Sequence, residues 1–439
     1  MLGKSARTRI QWEVIIVACM YTGYIGFMLC KSTVSLSAPA MKEDLGLTTG
    51  DFGTIFAWGN GGALCGKLLT GVLADRLGGR RVFVLALAMT TAATVAFGAA
   101  SRRSVFMGLN FLIQFTKSAA WPSLAHLIKS WFAVRKYGRV WGIISTSSRF
   151  SALISALFLA VLLLVLPWRW GFFVVGVVVA LIVILLLLFL KGNPIDLWLK
   201  SPKEVKQDEA DNVTNTTNES HPLDHETLFG ALGVFAGSGR IWLICLSVMC
   251  LTVLMEFLSF IPLYLEETFN LPGAQAAGYS AAFPAGSFLS MLVGGFVYDK
   301  LTKRAVMCVL CGLLGVAQVC VGFLLFLPSL SVDSGTSIVL AIVAIFVLGM
   351  AISPAYYLPM SVFSIQFGGK HCGVLIGLID ACGYGAAIVF DVVGGTVAEQ
   401  SGWQSFLVIL AVVSVLTLVV TTWFLFVDCQ VSVSTETTN

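Results

Sequence analysis

Charged residues are scarce in this chain. Only 11% of its 439 residues are Asp, Glu, Lys or Arg, whereas 57% are hydrophobic and the mean hydropathy is +0.90. Soluble domains carry about 25% charged residues, so this composition excludes a soluble globular protein. Apolar runs of about 18 residues or more recur along the sequence, and each is long enough to cross the ~30 Å hydrocarbon core of a bilayer. The sequence therefore predicts a polytopic helical membrane protein.

The polar segments also lack the residue sets that carry enzyme chemistry. They contain no nucleophile–base pair, metal-ligand cluster or phosphate-binding glycine loop, so we expect no enzyme activity, no metal and no cofactor. The 11 cysteines are scattered through apolar runs, and the C-x-x-C of Cys308 and Cys311 falls in a predicted membrane helix, where zinc or redox chemistry is disfavoured. A net charge of +4 indicates no nucleic-acid partner, because the cations lie in separate loops.

Twelve apolar spans are predicted, six before and six after a polar segment. The first six cover approximately Trp12–Leu36, Phe52–Ala74, Val82–Ala100, Val105–Phe132, Arg139–Leu164 and Trp170–Leu190. The last six cover approximately Ile241–Leu265, Gln275–Tyr298, Ala305–Leu327, Ser337–Phe367, Cys372–Ala398 and Trp403–Val427. The first span, at roughly twenty residues, is too long for the apolar core of a cleavable signal peptide. We expect an N-terminal bundle of residues 1–190, a linker of residues 191–240 and a C-terminal bundle of residues 241–439.

Basic residues are distributed unevenly between the two sides of the predicted membrane. If the N-terminus lies inside, most of the 27 Lys and Arg residues fall in inner segments, and the outer loops hold only Lys42, Arg102, Arg103 and Arg169. Positive charge near membrane spans is retained on the cytoplasmic side, so both termini and the linker are predicted to be cytoplasmic. Plasma membrane and organelle membranes both stay open as the location.

A charged loop occurs twice, each time at the end of an apolar run. Gly71–Arg81 reads G-V-L-A-D-R-L-G-G-R-R, and Gly295–Arg304 reads G-F-V-Y-D-K-L-T-K-R. In both copies an Asp lies four residues after a Gly and precedes a cation, giving the pairs Asp75–Arg76 and Asp299–Lys300. Two copies at matching places indicate an internal duplication, and hence two related six-helix bundles.

Ionisable residues inside the spans are divided by sign between the two halves. The first half holds the cations Lys31, Lys67, Lys117 and Arg149, and the second half holds the acids Glu256, Asp380 and Asp391. A lipid-facing charge costs roughly 2.5–3.5 kcal/mol on the insertion scale, so these side chains are expected to face a cavity, to pair, or to reach the membrane surface. Two interpretations follow, which are compatible: the cations bind an anionic substrate, or cations and acids form structural pairs between the halves.

Several segments resemble the organophosphate:phosphate antiporter branch of the major facilitator superfamily, which includes glycerol-3-phosphate and glucose-6-phosphate transporters. They are Trp121–Phe132 (W-P-S-L-A-H-L-I-K-S-W-F), Gly66–Gly71 and Ile144–Ser147, together with the repeated charged loop. The resemblance implies twelve transmembrane helices in two pseudo-symmetric six-helix bundles, with a site at mid-membrane between them. It also implies an inner gate, formed by Asp75, Arg76, Asp299 and Lys300.

The resemblance assigns an anion site in the first half. Lys31, eight residues before Pro39, stands where the branch has a phosphate-binding arginine, and Lys67 matches the lysine of span two. Arg149 takes the place of a His or Asn in span five. The branch also has a basic residue in span seven, which this chain lacks; the charge found nearby is Glu256. This departure puts in question both a symmetric clamp and a phosphorylated substrate.

The predicted site combines cations, neutral side chains and acids. Its members are Lys31, Lys67, Lys117, Arg149, Tyr24, Gln114, Trp121, Ser145, Tyr356, Glu256 and Asp380. For each neutral residue taken alone, helix packing is the alternative role. The expected function is alternating-access transport of a small organic anion by a monomer in the lipid bilayer. The favoured substrate is a sugar phosphate or three-carbon phosphate exchanged for inorganic phosphate.

Two alternatives stay open for the function. One is a proton-coupled carrier of a carboxylate or other organic anion, with Glu256 or Asp380 taking up the proton. The other is a transport-inactive metabolite sensor of the same fold. The lack of a soluble output domain argues against a sensor.

Overall fold

Helices make up almost all of the described chain. The structure is a computed structural model, and it describes residues 4–132, 136–197, 228–297, 301–330, 333–368 and 371–436. In hydrocarbon every backbone N–H and C=O must be satisfied within the protein, and a helix achieves this inside one segment. The predicted all-α class is confirmed.

Fifteen helices are described, in an order that follows the predicted spans. The first eight are α1 (Lys4–Leu36), α2 (Ala38–Leu45), α3 (Thr49–Leu77), α4 (Gly79–Ala99), α5 (Arg103–Lys117), α6 (Ala120–Trp131), α7 (Tyr137–Val165) and α8 (Trp168–Phe189). The others are α9 (Leu228–Gly237), α10 (Gly239–Phe269), α11 (Gly273–Tyr279), α12 (Ala282–Val297), α13 (Lys303–Phe326), α14 (Ser334–Gly368) and α15 (Cys372–Glu436). Short 3-10 turns lie at Pro194–Leu197 and Leu327–Ser329.

Among the described residues, nine helical stretches are long and apolar enough to cross a membrane. The last, Cys372–Gln430, is 59 residues long and covers predicted spans eleven and twelve. Within it Gly402 has φ 78°, a left-handed conformation that glycine adopts without steric cost, and the two spans meet there. Span two, in α3, and span four, in α5 and α6, are not among the nine stretches. Helix α3 carries the polar residues Asn60 and Lys67.

Span four departs from the prediction of one helix over Val105–Phe132. The structure divides it into α5 and α6, which are joined at Ser118 and Ala119. The backbone N–H of Ala119 bonds to the carbonyl of Thr116 at 3.1 Å, so the chain tightens there without losing its hydrogen bonds. The Ser118 hydroxyl also bonds to the carbonyl of Ala63 at 3.1 Å, which ties this turn to α3.

The first of two compact units consists of Met1–Val34, Gly61–Ser155 and Val165–Glu219. Helix α4 packs against α5, α6 and α8 in this unit. At their meeting point Phe97 lies 4.7 Å from Phe106 and 4.9 Å from Phe172, measured between ring centroids. These rings are fully buried and form the centre of the unit's apolar core.

The second unit consists of Ser35–Asn60, Ala156–Leu164 and Ser220–Asn439. Here α10 packs against α15, and α12 packs against α14. Phe260 lies 5.3 Å from Phe406 and 6.1 Å from Phe390, again between centroids, so α10 and α15 share an aromatic core.

Each unit contains the same close helix contact. In the first, a methyl group on Gly62 would overlap the carbonyl oxygen of Phe111; in the second, one on Gly286 would overlap that of Phe346. The spacing from Gly62 to Gly286 equals the spacing from Asp75 to Asp299 in the repeated loops. The two glycines therefore occupy equivalent positions, which supports the duplication inferred from the loops.

The first charged loop is a tight turn, as its glycines predict. Helix α3 ends at Leu77 and α4 begins at Gly79, so a single residue separates the two helices. The backbone N–H of Gly79 bonds to Nδ1 of His126 at 3.3 Å, and Arg80 donates to the carbonyl of Leu187 at 3.1 Å. These bonds fix the turn against α6 and α8.

Candidate functional site

The predicted site residues of the first half all lie in the first compact unit. They are Tyr24 and Lys31 on α1, Lys67 on α3, Gln114 and Lys117 on α5, Trp121 on α6, and Ser145 and Arg149 on α7. The three lysines are half-buried, whereas the Arg149 side chain is only 7% exposed. All four cations of the predicted spans therefore lie in one unit.

Aromatic rings connect three of these helices. Trp121 of α6 lies between Tyr24 of α1, at 5.1 Å, and Trp141 of α7, at 5.5 Å between centroids. The two indoles are nearly parallel, with 27° between their planes. Sequence reasoning proposed Trp121 and Tyr24 for the site but not Trp141, whose signal was its place just beyond the branch-like segment. The three rings pack α6 against α1 and α7, and the side chains of Trp121 and Trp141 are only partly buried.

Gln114 carries a buried acceptor on the same face of α5 as Lys117. The two residues are three apart, which places them on one side of α5, whereas Trp121 lies beyond the turn at Ser118 and Ala119. Thr116 lies on the other side and bonds to Thr90 of α4 at 2.7 Å. Gln114 is 6% exposed, and its side-chain oxygen has no hydrogen-bond partner within the described part of the chain. Buried acceptors are usually satisfied, so this oxygen is suited to receive a donor.

Arg149 lies on a hydroxyl-rich stretch of α7. Ser147, Ser151 and Ser155 are fully buried, and each donates to a backbone carbonyl three or four residues earlier. A hydroxyl that donates in this way still has lone pairs to accept with. The guanidinium can offer two parallel N–H groups to a phosphate or carboxylate.

The predicted site residues of the second half lie in the second unit. Glu256 of α10 is half-buried and accepts a hydrogen bond from the hydroxyl of Ser259 at 2.9 Å. Tyr356 of α14 contacts Tyr357, with 4.8 Å between centroids. Asp380 of α15 is 9% exposed. These acids and tyrosines are thus held by helices of a different unit from the cations.

The predicted inner gate is described only in part. Arg76 is exposed in the last turn of α3. The side chain of Asp75, and both Asp299 and Lys300, lie outside the described residues. The pairing of these four residues stays a prediction.

Sequence reasoning missed a further cluster of polar side chains, which lies in the second unit around Glu267. Glu267, near the end of α10, accepts hydrogen bonds from Lys42, Thr49 and Trp403. The donors come from α2, α3 and α15, far apart in the sequence. One feature of the sequence pointed to this cluster. Glu267 follows span seven on the predicted outer side of the membrane, where Lys42 is one of few cations.

A comparison with known families decides the chain's identity. The family model described as Major Facilitator Superfamily matches residues 20–390, most of the sequence. The chain belongs to the Major Facilitator Superfamily. The superfamily fold expected from the repeated loops is thereby confirmed, and the chain is an integral, multi-pass membrane transporter by family.

Relatives within the superfamily include transporters of organic anions. The chain is 23% identical over 406 residues to a Cupriavidus necator protein named as a probable sulfoacetate transporter, SauU, and the match covers 90% of each chain. It is 25% identical over 308 residues to a probable hexose phosphate transport protein of Chlamydia pneumoniae, with 66% of each chain covered. These relatives are consistent with the resemblance to the organophosphate:phosphate antiporter branch.

A solved superfamily structure has the same fold. A bacterial homolog of the human lysosomal transporter Spinster aligns with a TM-score of 0.69 at 15% identity. The alignment covers 95% of this chain and 97% of the homolog. At this identity the likeness shows the fold alone.

Proposed function

We propose that this superfamily member carries a small phosphorylated metabolite, a sugar phosphate or three-carbon phosphate, by alternating access and in exchange for inorganic phosphate. One observation carries the proposal: four cations of the predicted spans, Lys31, Lys67, Lys117 and Arg149, belong to one compact unit. Charges in membrane helices are costly and mark substrate pathways. An anionic substrate gives this concentration of positive charge a function.

The chemistry of the four cations fits an oxyanion. Arg149 supplies the planar fork that binds two oxygens of a phosphate at once, and the lysines supply point charges. Trp121, with its neighbours Tyr24 and Trp141, offers a surface for the carbon skeleton. Gln114 and Ser145 are the neutral polar groups assigned to the substrate's remaining oxygens.

The relatives support an anion with an oxygen-rich head group. One is named for hexose phosphate and another for sulfoacetate, and both molecules carry such a group. Glu256 stands near the place where the branch has its second basic residue. The anionic head is therefore assigned to the first unit.

The arrangement in the membrane completes the proposal. Residues 1–190 and 241–439 form the two bundles of a monomeric carrier, and residues 191–240 link them on the cytoplasmic side. Both termini are cytoplasmic. The protein acts as a transporter and not as an enzyme, without cofactor or metal.

The test is transport by the purified full-length chain in liposomes. Vesicles loaded with inorganic phosphate are offered glucose 6-phosphate, glycerol 3-phosphate, sulfoacetate, galactarate and acetate. We expect uptake of a phosphate ester that requires internal phosphate, and no such uptake by Arg149→Ala or empty liposomes. Uptake of carboxylates or sulfonates only, with no phosphate ester carried, contradicts the assigned substrate class.

A proton-coupled carrier of a carboxylate is the second candidate, and the burial of Asp380 in a membrane helix favours it. The same liposomes separate the two candidates. Accumulation driven by a pH gradient alone, without internal phosphate, supports proton coupling, and Asp380→Asn or Glu256→Gln should then abolish accumulation but retain exchange.

A further inference from the structure

An apolar groove lies on the surface of the second unit, between α13 and α15. It has a volume of about 570 Å³ and is lined by Met307 of α13 and by the face of α15 that runs from Leu418 to Phe426. Val419 and Phe426 on this face are more than half exposed. We call this surface the α13–α15 groove. The predicted topology puts it in the inner leaflet of the membrane, because α13 begins and the last span ends on the cytoplasmic side.

The length and lining of the groove suit a hydrocarbon chain. At 1.5 Å per residue its α15 wall is about 12 Å long, which is most of the ~15 Å of hydrocarbon in one leaflet. The Thr422 hydroxyl lies 3.3 Å from Cys311 Sγ of α13, so this contact occupies the hydroxyl and joins the two walls. The surface that faces the groove is apolar. A polar solute would therefore find no hydrogen bonds there, whereas an acyl chain would pack against both helices.

Packing of the chain alone does not select one lipid from the bilayer, because lipid tails are as apolar as the groove. Selection needs a second contact, at the level of the head groups. Lys303 and Arg304 open α13 and are both exposed. They precede Met307 by four and three residues, so they lie one turn nearer the inner surface, on the side of α13 that borders the groove.

Positive charge is in excess at this end of the second unit. The neighbouring acid is Asp428 of α15, whose Oδ1 lies 3.8 Å from Nη1 of Arg240. Lys303 also interacts electrostatically with Asp428. The Arg240 guanidinium is held in addition by the ring of Phe367, at 5.1 Å from its centroid. Among these charged groups three cations surround one carboxylate, so Asp428 does not exclude an anion from Lys303 and Arg304.

We propose that the α13–α15 groove binds one anionic phospholipid of the inner leaflet, with an acyl chain along the groove and the phosphate at Lys303 and Arg304. Basic side chains at the cytoplasmic ends of membrane helices recognise anionic head groups in this way. A zwitterionic phospholipid would bring its own cation among these side chains and bind more weakly. The bound lipid braces the start of α13 against the end of α15. The proposal does not depend on which substrate the carrier transports.

Native mass spectrometry of the purified full-length chain tests the head-group contact. The delipidated protein in detergent is given dioleoyl phosphatidylglycerol or dioleoyl phosphatidylcholine, which have identical chains. We expect wild type to retain one phosphatidylglycerol molecule and much less phosphatidylcholine. Each cation near a membrane surface is worth roughly fivefold in binding an anionic lipid, so Lys303→Gln/Arg304→Gln should weaken retention of phosphatidylglycerol by about fivefold or more.

A matched variant controls for net charge. Arg102→Gln/Arg103→Gln removes two exposed cations from the first unit, away from the groove, and should retain phosphatidylglycerol as wild type does. Equal retention of the two lipids by wild type overturns the proposal. So does unchanged retention by Lys303→Gln/Arg304→Gln, or an equal loss in the control variant.

The acyl chain is tested by filling the groove while all charges are kept. Val419→Trp places an indole in the groove, whereas Val319→Trp places one on an exposed position of α13 twelve residues beyond Met307. We expect a severalfold loss of phosphatidylglycerol from Val419→Trp only, and equal retention by the two variants overturns the assignment of the groove. If Val419→Trp fails to fold, dihexanoyl phosphatidylglycerol decides the question with wild type. Binding of this short-chain lipid as tight as that of the dioleoyl lipid would show that the chain does not use the groove.

Discussion

The indole of Trp121 and the phenol ring of Tyr24 lie 5.1 Å apart, which joins α6 to α1 within the unit that holds the four cations. If this surface contacts the carbon skeleton of the substrate, Trp121→Ala should raise KM for a phosphate ester severalfold or more, and Trp121→Phe should raise it less. Burial of one CH₂ group is worth about 0.8 kcal/mol, so contact with a few carbon atoms accounts for a severalfold effect. Trp423→Ala is the control, because that side chain is 60% exposed and belongs to the other unit. Equal effects of the Trp121→Ala and Trp423→Ala changes would remove Trp121 from the site.

Arg149 tests the anion site directly. Arg149→Lys keeps the charge but loses the bidentate fork, and a hydrogen bond to a charged group is worth about 1.5–3 kcal/mol. We expect roughly tenfold or greater weakening for a phosphate ester and a much smaller change for a monocarboxylate, measured as competition for uptake in liposomes. Arg149→Ala should abolish binding of both while the protein still reaches the membrane.

A structural role for Arg149 predicts a different result. If the guanidinium only balances an acid of the second half, then Arg149→Ala combined with Glu256→Ala or Asp380→Ala should restore thermal stability and transport. Restored anion transport in either double variant would show that Arg149 is scaffold and not ligand.

The equivalent glycines of the two units should have equivalent effects on stability. Gly62→Ala and Gly286→Ala each force a methyl group against a helix backbone, and such overpacking costs about 1–3 kcal/mol. Both variants should unfold at a lower temperature in detergent than wild type. Gly71→Ala and Gly294→Ala, in the same helices but with open space at Cβ, serve as controls. A difference confined to one unit would argue against their equivalence in the repeat.

The predicted inner gate calls for a measurement of turnover. Asp75→Asn should leave insertion and ligand binding intact and should slow transport at least severalfold, because the loop contacts must break and re-form in each cycle. Ligand binding by isothermal calorimetry, compared with uptake rate, separates these effects. Normal uptake velocity by Asp75→Asn would refute the assignment.

Much of the fold could be predicted from the sequence, because hydrocarbon imposes helices and apolar length reveals where they cross. The turn at Ser118 was missed, although Pro122 lies one helical turn later and has no N–H to donate to the carbonyl of Ser118. Nor could the cluster at Glu267 be predicted, because two of its donors lie 218 and 225 residues earlier in the chain. The candidate cations were visible because charge is rare in spans, whereas the signal for Trp141 was only its place just beyond the branch-like segment.

The close packing of helix backbones at four glycines also has a genetic consequence. Every single-base change of a glycine codon that alters the amino acid adds a side chain or ends the chain. A methyl group on Gly53, Gly395, Gly62 or Gly286 would come within 3.0 Å of a neighbouring backbone atom. Protein variants with missense changes at these four codons should therefore lose transport as consistently as variants with changes at Arg149. Surveys of loss-of-function alleles should then include missense changes at these glycine codons as often as missense changes at the codons of the anion site.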